Sequence, residues 1–144
     1  MWQLYIFYAN LLNLYYTYWF SGLFEKYFIF AQENCIAMMK KIGLIGGVGP
    51  VSTVNYYLEL NRLYHNDFGV NEYPEIVIDS LSLNKVTTAL ADERYDIVCE
   101  TLKKSADILR NAGAECVAIC SNTPHIVLSQ IVDDLPLPIV SIVD

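Results

Sequence analysis

Four short apolar runs that do not alternate between polar and apolar residues set the strongest limit on what this chain can fold into. They are Ile42-Gly43-Leu44-Ile45, Glu75-Ile76-Val77-Ile78-Asp79, Cys116-Val117-Ala118-Ile119-Cys120 and Pro138 to Val143. A strand with one wet face alternates with period two, so runs that are apolar throughout belong to strands covered on both sides. Between them lie segments with helical spacing. Val54, Tyr57, Leu58 and Tyr64 recur along a helix from Pro50 to about His65, with the proline at its first position. Ile97, Leu102, Ile108 and Leu109 make the stripe of a long helix from about Asp92 to Ala112, with Asp92 and Glu93 in its first turn and Gly113 as its C-terminal cap. A third helix, from Pro124 to about Asp133, carries Ile126, Val127, Ile131 and Val132. Asn66 to Pro74 reads as a polar connection and Ser80 to Asn84 as a loop. Strand followed by helix, repeated, predicts a three-layer α/β domain: a parallel four-stranded sheet, helices on both faces, right-handed crossovers.

Composition divides the chain at Met39. Of the 19 aromatic residues 13 precede it, and nothing charged stands between Met1 and Phe24. About 20 apolar residues suffice to span a bilayer, but Gln3, Asn10, Asn13, Thr17, Ser21 and five tyrosines interrupt this stretch, a sixth tyrosine follows at Tyr27, and no basic flank precedes it. Residues 1–38 could be a non-native extension upstream of a start at Met38 or Met39, a membrane-associated or signal-anchor helix, or a partner-binding helix. The remaining 39–144 can form one compact core. A net charge of −7, with nine scattered Lys and Arg residues, argues against nucleic acid as a partner. Cys35, Cys99, Cys116 and Cys120 form no C-x-x-C pair. A disulfide scaffold or metal site is therefore not expected, and a reducing cytoplasm fits best, with membrane contact through 1–38 left open. Cys116 and Cys120, four apart in one strand, share a face and read as core thiols.

In open parallel sheets ligands bind beyond the carboxyl ends of the strands. Here that rule selects Gly46–Pro50, Ser80–Asn84 and Ser121–His125. Gly47, Gly49 and Pro50 let backbone approach a ligand at a helix start that favours an anion, although such glycines also serve simply to turn the chain and pack helix on strand. As a dinucleotide fingerprint the loop is imperfect, because Ser52 stands where a glycine is wanted, while Asp79 sits where a ribose-binding acid would. Ser121-Asn122-Thr123-Pro124-His125 gathers two alcohols, an amide and an imidazole at one strand end. It suits either carboxylate binding or ordinary helix capping.

Gly43-Leu44-Ile45-Gly46-Gly47-Val48-Gly49-Pro50 followed by Thr53-Val54-Asn55-Tyr56-Tyr57 resembles the amino-terminal signature of the aspartate/glutamate racemases. Gly113-Ala114-Glu115, an apolar strand and Asn122-Thr123-Pro124-His125 resemble the first catalytic motif of that family, and Pro136 to Asp144 resembles its fourth strand. The resemblance implies one lobe of a two-lobed fold and an acidic amino acid, aspartate or glutamate, as substrate. It also implies racemisation at Cα with neither pyridoxal phosphate nor metal. In such enzymes one base stands on each side of the Cα–H, because the proton leaves from one face and returns to the other. A thiol, ordinary pKa ~8.5, is a workable base when a helix N-terminus lowers it.

The sequence departs from this pattern twice. The position of the family's first cysteine holds Ser121, while Cys120 precedes it and should point the opposite way along the strand. A serine hydroxyl is a far poorer base than a thiolate, and His125 is the nearby candidate to activate it. The resemblance thus places Ser121 and His125 as catalytic groups. It places Gly47, Gly49, Pro50, Asn122 and Thr123 as substrate-binding groups, with Lys85 as the candidate cation for the substrate side chain. The second departure is that the chain ends at Asp144, where the family continues into a second lobe. The expectation is a chain incompetent alone, completed by a missing lobe or by self-association into a homo-oligomer. A nucleotide-binding domain and a non-catalytic interaction module are the competing classes.

Overall fold

A computed structural model describes residues 41–69 and 71–140. The aromatic extension and the expected strand end at 141–143 lie outside these residues, so the readings made of them are not addressed by it. Strand β1 (Ile42–Gly46) leads into helix α1 (Pro50–Phe68), and strand β2 (Ile76–Ser80) into helices α2 (Leu83–Ala91) and α3 (Tyr95–Asn111). Strand β3 (Cys116–Ile119) leads into a 3-10 helix (Thr123–Gln130), a short 3-10 turn (Val132–Asp134) and strand β4 (Ile139–Val140). The sheet order is β2-β1-β3-β4 and every pairing is parallel, with Leu44 opposite Ile78 on one side and Ala118 on the other. This is the expected four-stranded α/β architecture.

Alternation along the strands sorts the core into two clusters. Ile45, Val117 and Ile119 face α2, α3 and the 3-10 helix, packing with Val86, Val98, Leu102, Leu109 and Val127. Ile42, Leu44, Cys116, Ala118 and Cys120 face α1 and pack with Tyr56, Leu60 and Tyr64. Both cysteines therefore occupy one face, as their spacing implied.

The helical faces differ from the sequence reading in instructive ways. In α1 the buried residues are Thr53, Tyr56, Leu60 and Tyr64, while Val54, Tyr57 and Leu58 are exposed. Two apolar stripes lie side by side on this helix, and the one chosen is the one that brings Thr53 to the glycine turn. The helix also runs past His65 to Phe68, where Gly69 N–H donates to the His65 carbonyl.

The long helix expected from Asp92 begins at Tyr95, and a separate helix, α2, precedes it where none was expected. Asp92 and Glu93 close α2 rather than open α3: Asp92 N–H donates to the Thr88 carbonyl, Glu93 takes a left-handed φ of 56°, and Arg94 N–H donates to the Ala89 carbonyl at 2.8 Å. Ser82, inside the expected loop, is the N-cap of α2, accepting from the Lys85 N–H. In α3 the buried face is Val98, Leu102, Ser105, Ala106 and Leu109, and Ile108 faces solvent. The buried Ser105 hydroxyl donates to Asp79 at 2.6 Å, which removes the cost of burying it.

After β3 the chain winds as a 3-10 helix. Pro124 with Val127, and Leu128 with Ile131, bury at the three-residue spacing on which side chains eclipse in that geometry, while Ile126 and Val132 are exposed. Among the described residues no helix is long and apolar enough to cross a membrane.

Candidate active site

Because β1, β2 and β3 are parallel neighbours, their carboxyl ends reach one rim. Gly46 pairs with Ser80, Ile45 with Ile119, and Cys120 N–H donates to the Ile45 carbonyl one residue beyond β3. The turns beginning at Gly46 and Ser121 consequently emerge side by side. The α2 start, carrying Lys85 in its first turn, follows the end of β2 at the same rim. Three helix N-termini thus share one rim, each bearing a partial positive charge.

The glycine turn is built from inside. Gly47 and Gly49 take φ of 83° and 94°, the left-handed region that glycine enters without strain. A Cβ on Gly47 would overlap the Leu81 carbonyl oxygen and lie 2.6 Å from the Leu81 nitrogen, whereas one on Gly49 would meet only Ser52, at 3.6 Å. Gly47 is therefore a packing requirement against the chain leaving β2, and Gly49 a conformational one. The Gly47 N–H is spent internally, donating to Thr53 Oγ1 at 3.0 Å. Thr53 N–H makes the first internal bond of α1, to the Gly49 carbonyl, and Pro50 has no N–H. The amides of Val51 and Ser52 precede that bond, the position at which a helix start receives an anion.

Of the Ser121–His125 group, Ser121, Asn122 and His125 are half-buried and Thr123 is exposed. Asn122 sits at the start of the 3-10 helix with helical φ and ψ and makes no side-chain cap bond, so its amide is not used up in capping. The His125 ring lies against the Ser121 main chain. Its Nδ1 is 2.8 Å from the Ser121 carbonyl oxygen, so Nδ1 carries the proton and the ring braces the turn. His125 N–H also donates to the Asn122 carbonyl at 3.0 Å. This places the imidazole at the backbone of Ser121.

Cys120 faces the other way. It is buried beside Tyr56 under α1, and burial pushes its thiol up to about 12. The same burial, followed by the nearby Cys120 sulfur, raises the Tyr56 hydroxyl well above its usual range. A thiol so placed stays protonated and does not reach the rim. Asp79, next to the last residue of β2, accepts from Ser105 of α3 through Oδ2. Lys85 is exposed on α2. Among the described residues no group of three or more His, Cys, Asp or Glu side chains could hold a metal ion.

Residues 45–144 match the Asp/Glu/hydantoin racemase family, covering both rim turns. The chain belongs to that family. Its fold resembles a protein from Yersinia pestis assigned to the Asp/Glu racemases, at 30% identity and a TM-score of 0.66 over 69% of this chain. It equally resembles an aspartate racemase homologue from Pyrococcus horikoshii, at 34% identity and a TM-score of 0.65 over 71% of this chain. In both cases it spans 44% of the solved chain, the extent of one lobe.

The residue that sequence reasoning passes over is Thr53. Its signal is a hydroxyl four residues after the second glycine of Gly-x-Gly-Pro, the spacing at which a helix start can turn back on its own loop.

Proposed function

We propose that this rim holds the α-carboxylate of a small acidic amino acid, aspartate or glutamate, and presents Ser121 to one face of its Cα–H in a cofactor-independent racemisation. The observation that carries this reading is the adjacency of the Gly46 and Ser121 turns at one rim, under converging helix N-termini. The carboxylate would lie against the Val51 and Ser52 amides, with Asn122 and Thr123 completing its hydrogen bonds. Negative charge developing on that carboxylate as the α-proton leaves is what such donors stabilise. Lys85 would meet the side-chain carboxylate.

Magnitudes bound the affinity. Each helix end contributes ~0.3–1 kcal/mol toward an anion, so three ends give a few kcal/mol, and a millimolar Kd corresponds to about −4 kcal/mol. Binding to this domain alone is expected at millimolar concentration or weaker. A hydroxyl is a far poorer base than a thiolate, so Ser121 is a weak proton acceptor and preference for one direction of transfer follows. The base for the opposite face would be supplied by a second lobe, as the family's two-lobed fold implies.

The test is an NMR titration of the full chain with L-aspartate and L-glutamate, run alongside α-deuterium exchange in deuterated water. Shifts at Val51, Ser52 and the Ser121–Thr123 backbone, with slow or no exchange by the chain alone, are the expected result. Absence of those shifts at tens of millimolar of either acid would sink the reading, as would saturable binding of NAD at the same residues.

A further inference from the structure

We infer that Thr53 is the positioning residue of this site. Its hydroxyl sets the conformation of the glycine turn and thereby aims the α1 amides at the substrate carboxylate. The inference rests on the functional reading above and assigns a role to a residue that itself touches no substrate.

Thr53 is a buried polar side chain, 7% exposed, in the first turn of a helix whose other buried residues are large and apolar. Packing alone would be served as well by valine, which has the same shape, and a buried hydroxyl is tolerated only when its hydrogen bonds are made. Both of its bonds go to the glycine turn. Oγ1 accepts from the Gly47 N–H at 3.0 Å and donates to the Gly49 carbonyl at 3.4 Å. One hydroxyl thus ties together the two glycines that hold left-handed φ. The methyl acts separately, since Cγ2 stands 2.5 Å from where a Cβ on Gly46 would be and so fills the space that glycine leaves. The two halves of the side chain can therefore be separated by mutation.

Without the hydroxyl, the buried Gly47 N–H loses its acceptor, and the Gly49 carbonyl keeps only its bond from the Thr53 N–H. The turn between them is the segment that sets where Pro50, Val51 and Ser52 begin the helix. An N–H array displaced by a fraction of an ångström loses much of its hold on a carboxylate, because such bonds weaken steeply with distance and angle.

The experiment compares the full chain with Thr53→Ser and Thr53→Val. For each, the L-aspartate affinity is measured by NMR titration well below the melting temperature, and the melting temperature is measured separately. Thr53→Ser keeps the hydroxyl and loses the methyl; it should bind within about twofold of the parent even though it melts lower. Thr53→Val keeps the shape and loses the hydroxyl; it should bind about tenfold more weakly, the size of effect one hydrogen bond supplies. Affinity that follows melting temperature across the variants instead of following the hydroxyl overturns the inference, as does parental affinity in Thr53→Val. If Thr53→Val does not fold, Thr53→Ser decides: near-parental affinity supports the assignment and a tenfold loss overturns it. Failure of the unmutated chain to bind either acid is a separate outcome that removes the functional reading, and this inference with it.

Discussion

At the scale of single residues, neighbours in sequence are put to opposite uses. Cys120 and Ser121 are adjacent, yet the thiol packs under α1 and the serine stands at the rim. A thiol reagent near pH 8 should therefore modify half-buried Cys99 first among the described cysteines, and Cys116 and Cys120 only after unfolding; mass spectrometry of partially labelled protein would show the order. The raised Cys120 pKa also has a thermodynamic consequence. As pH climbs from about 9 toward 12 the unfolded chain gives up this proton while the folded chain keeps it, so stability falls across that window and is unaffected below it. Replacing Cys120 with alanine should flatten the alkaline decline seen in urea titrations, with Tyr56 accounting for what remains. The two glycines of the turn should likewise separate. Gly49→Ala introduces only left-handed strain, worth about 1 kcal/mol, whereas Gly47→Ala adds a clash with the Leu81 backbone and should cost more than about 2 kcal/mol in equilibrium unfolding.

At the scale of elements, the lesson lies in which helical stripe is buried. The sequence pattern puts Leu102 and Ile108 together in the apolar stripe of one helix, but Leu102 is 1% exposed and Ile108 45%. Leu102→Ala should lower the unfolding free energy by about 2–5 kcal/mol, and Ile108→Ala by less than about 1; equal effects would mean that α3 packs in another rotation. The helix pattern is legible because apolar residues recur with the right period. The rotation is not, since Ser105 and Ala106 sit on the buried face and the deciding contact, Ser105 with Asp79, joins residues 26 positions apart. The boundary between α2 and α3 is hidden for a related reason. Asp92 and Glu93 look like first-turn acids, yet a non-glycine residue with left-handed φ ends the preceding helix there.

At the scale of the whole molecule, the sheet order puts β1 and β3 in the centre and β2 and β4 at the edges. Hydrogen exchange should follow that order: the amides of Leu44, Ile45, Val117 and Ile119 should exchange slowest, and those of β2 and of Ile139–Val140 faster. Slowest exchange in β2 would contradict the topology. The same order makes the rim a site, because two crossover connections return the chain so that β1, β2 and β3 all end at one edge. Placed against the solved relatives, this architecture spans 44% of their chains, so the rim supplies one face of the proposed reaction.

What the sequence determined by itself was the class of the fold and the location of the rim. Both depend on local properties, namely apolar runs that cannot alternate, helical periodicity, and polar turns at strand ends, and each of these is written in consecutive residues. What only the tertiary structure decided was which stripe of each helix turns inward, that Gly47 answers to Leu81, that His125 braces a carbonyl, and that Thr53 ties the glycine turn together. Those choices rest on contacts a few ångströms long, several of them between distant residues. Their free energies exist only once the sheet has brought its strands side by side.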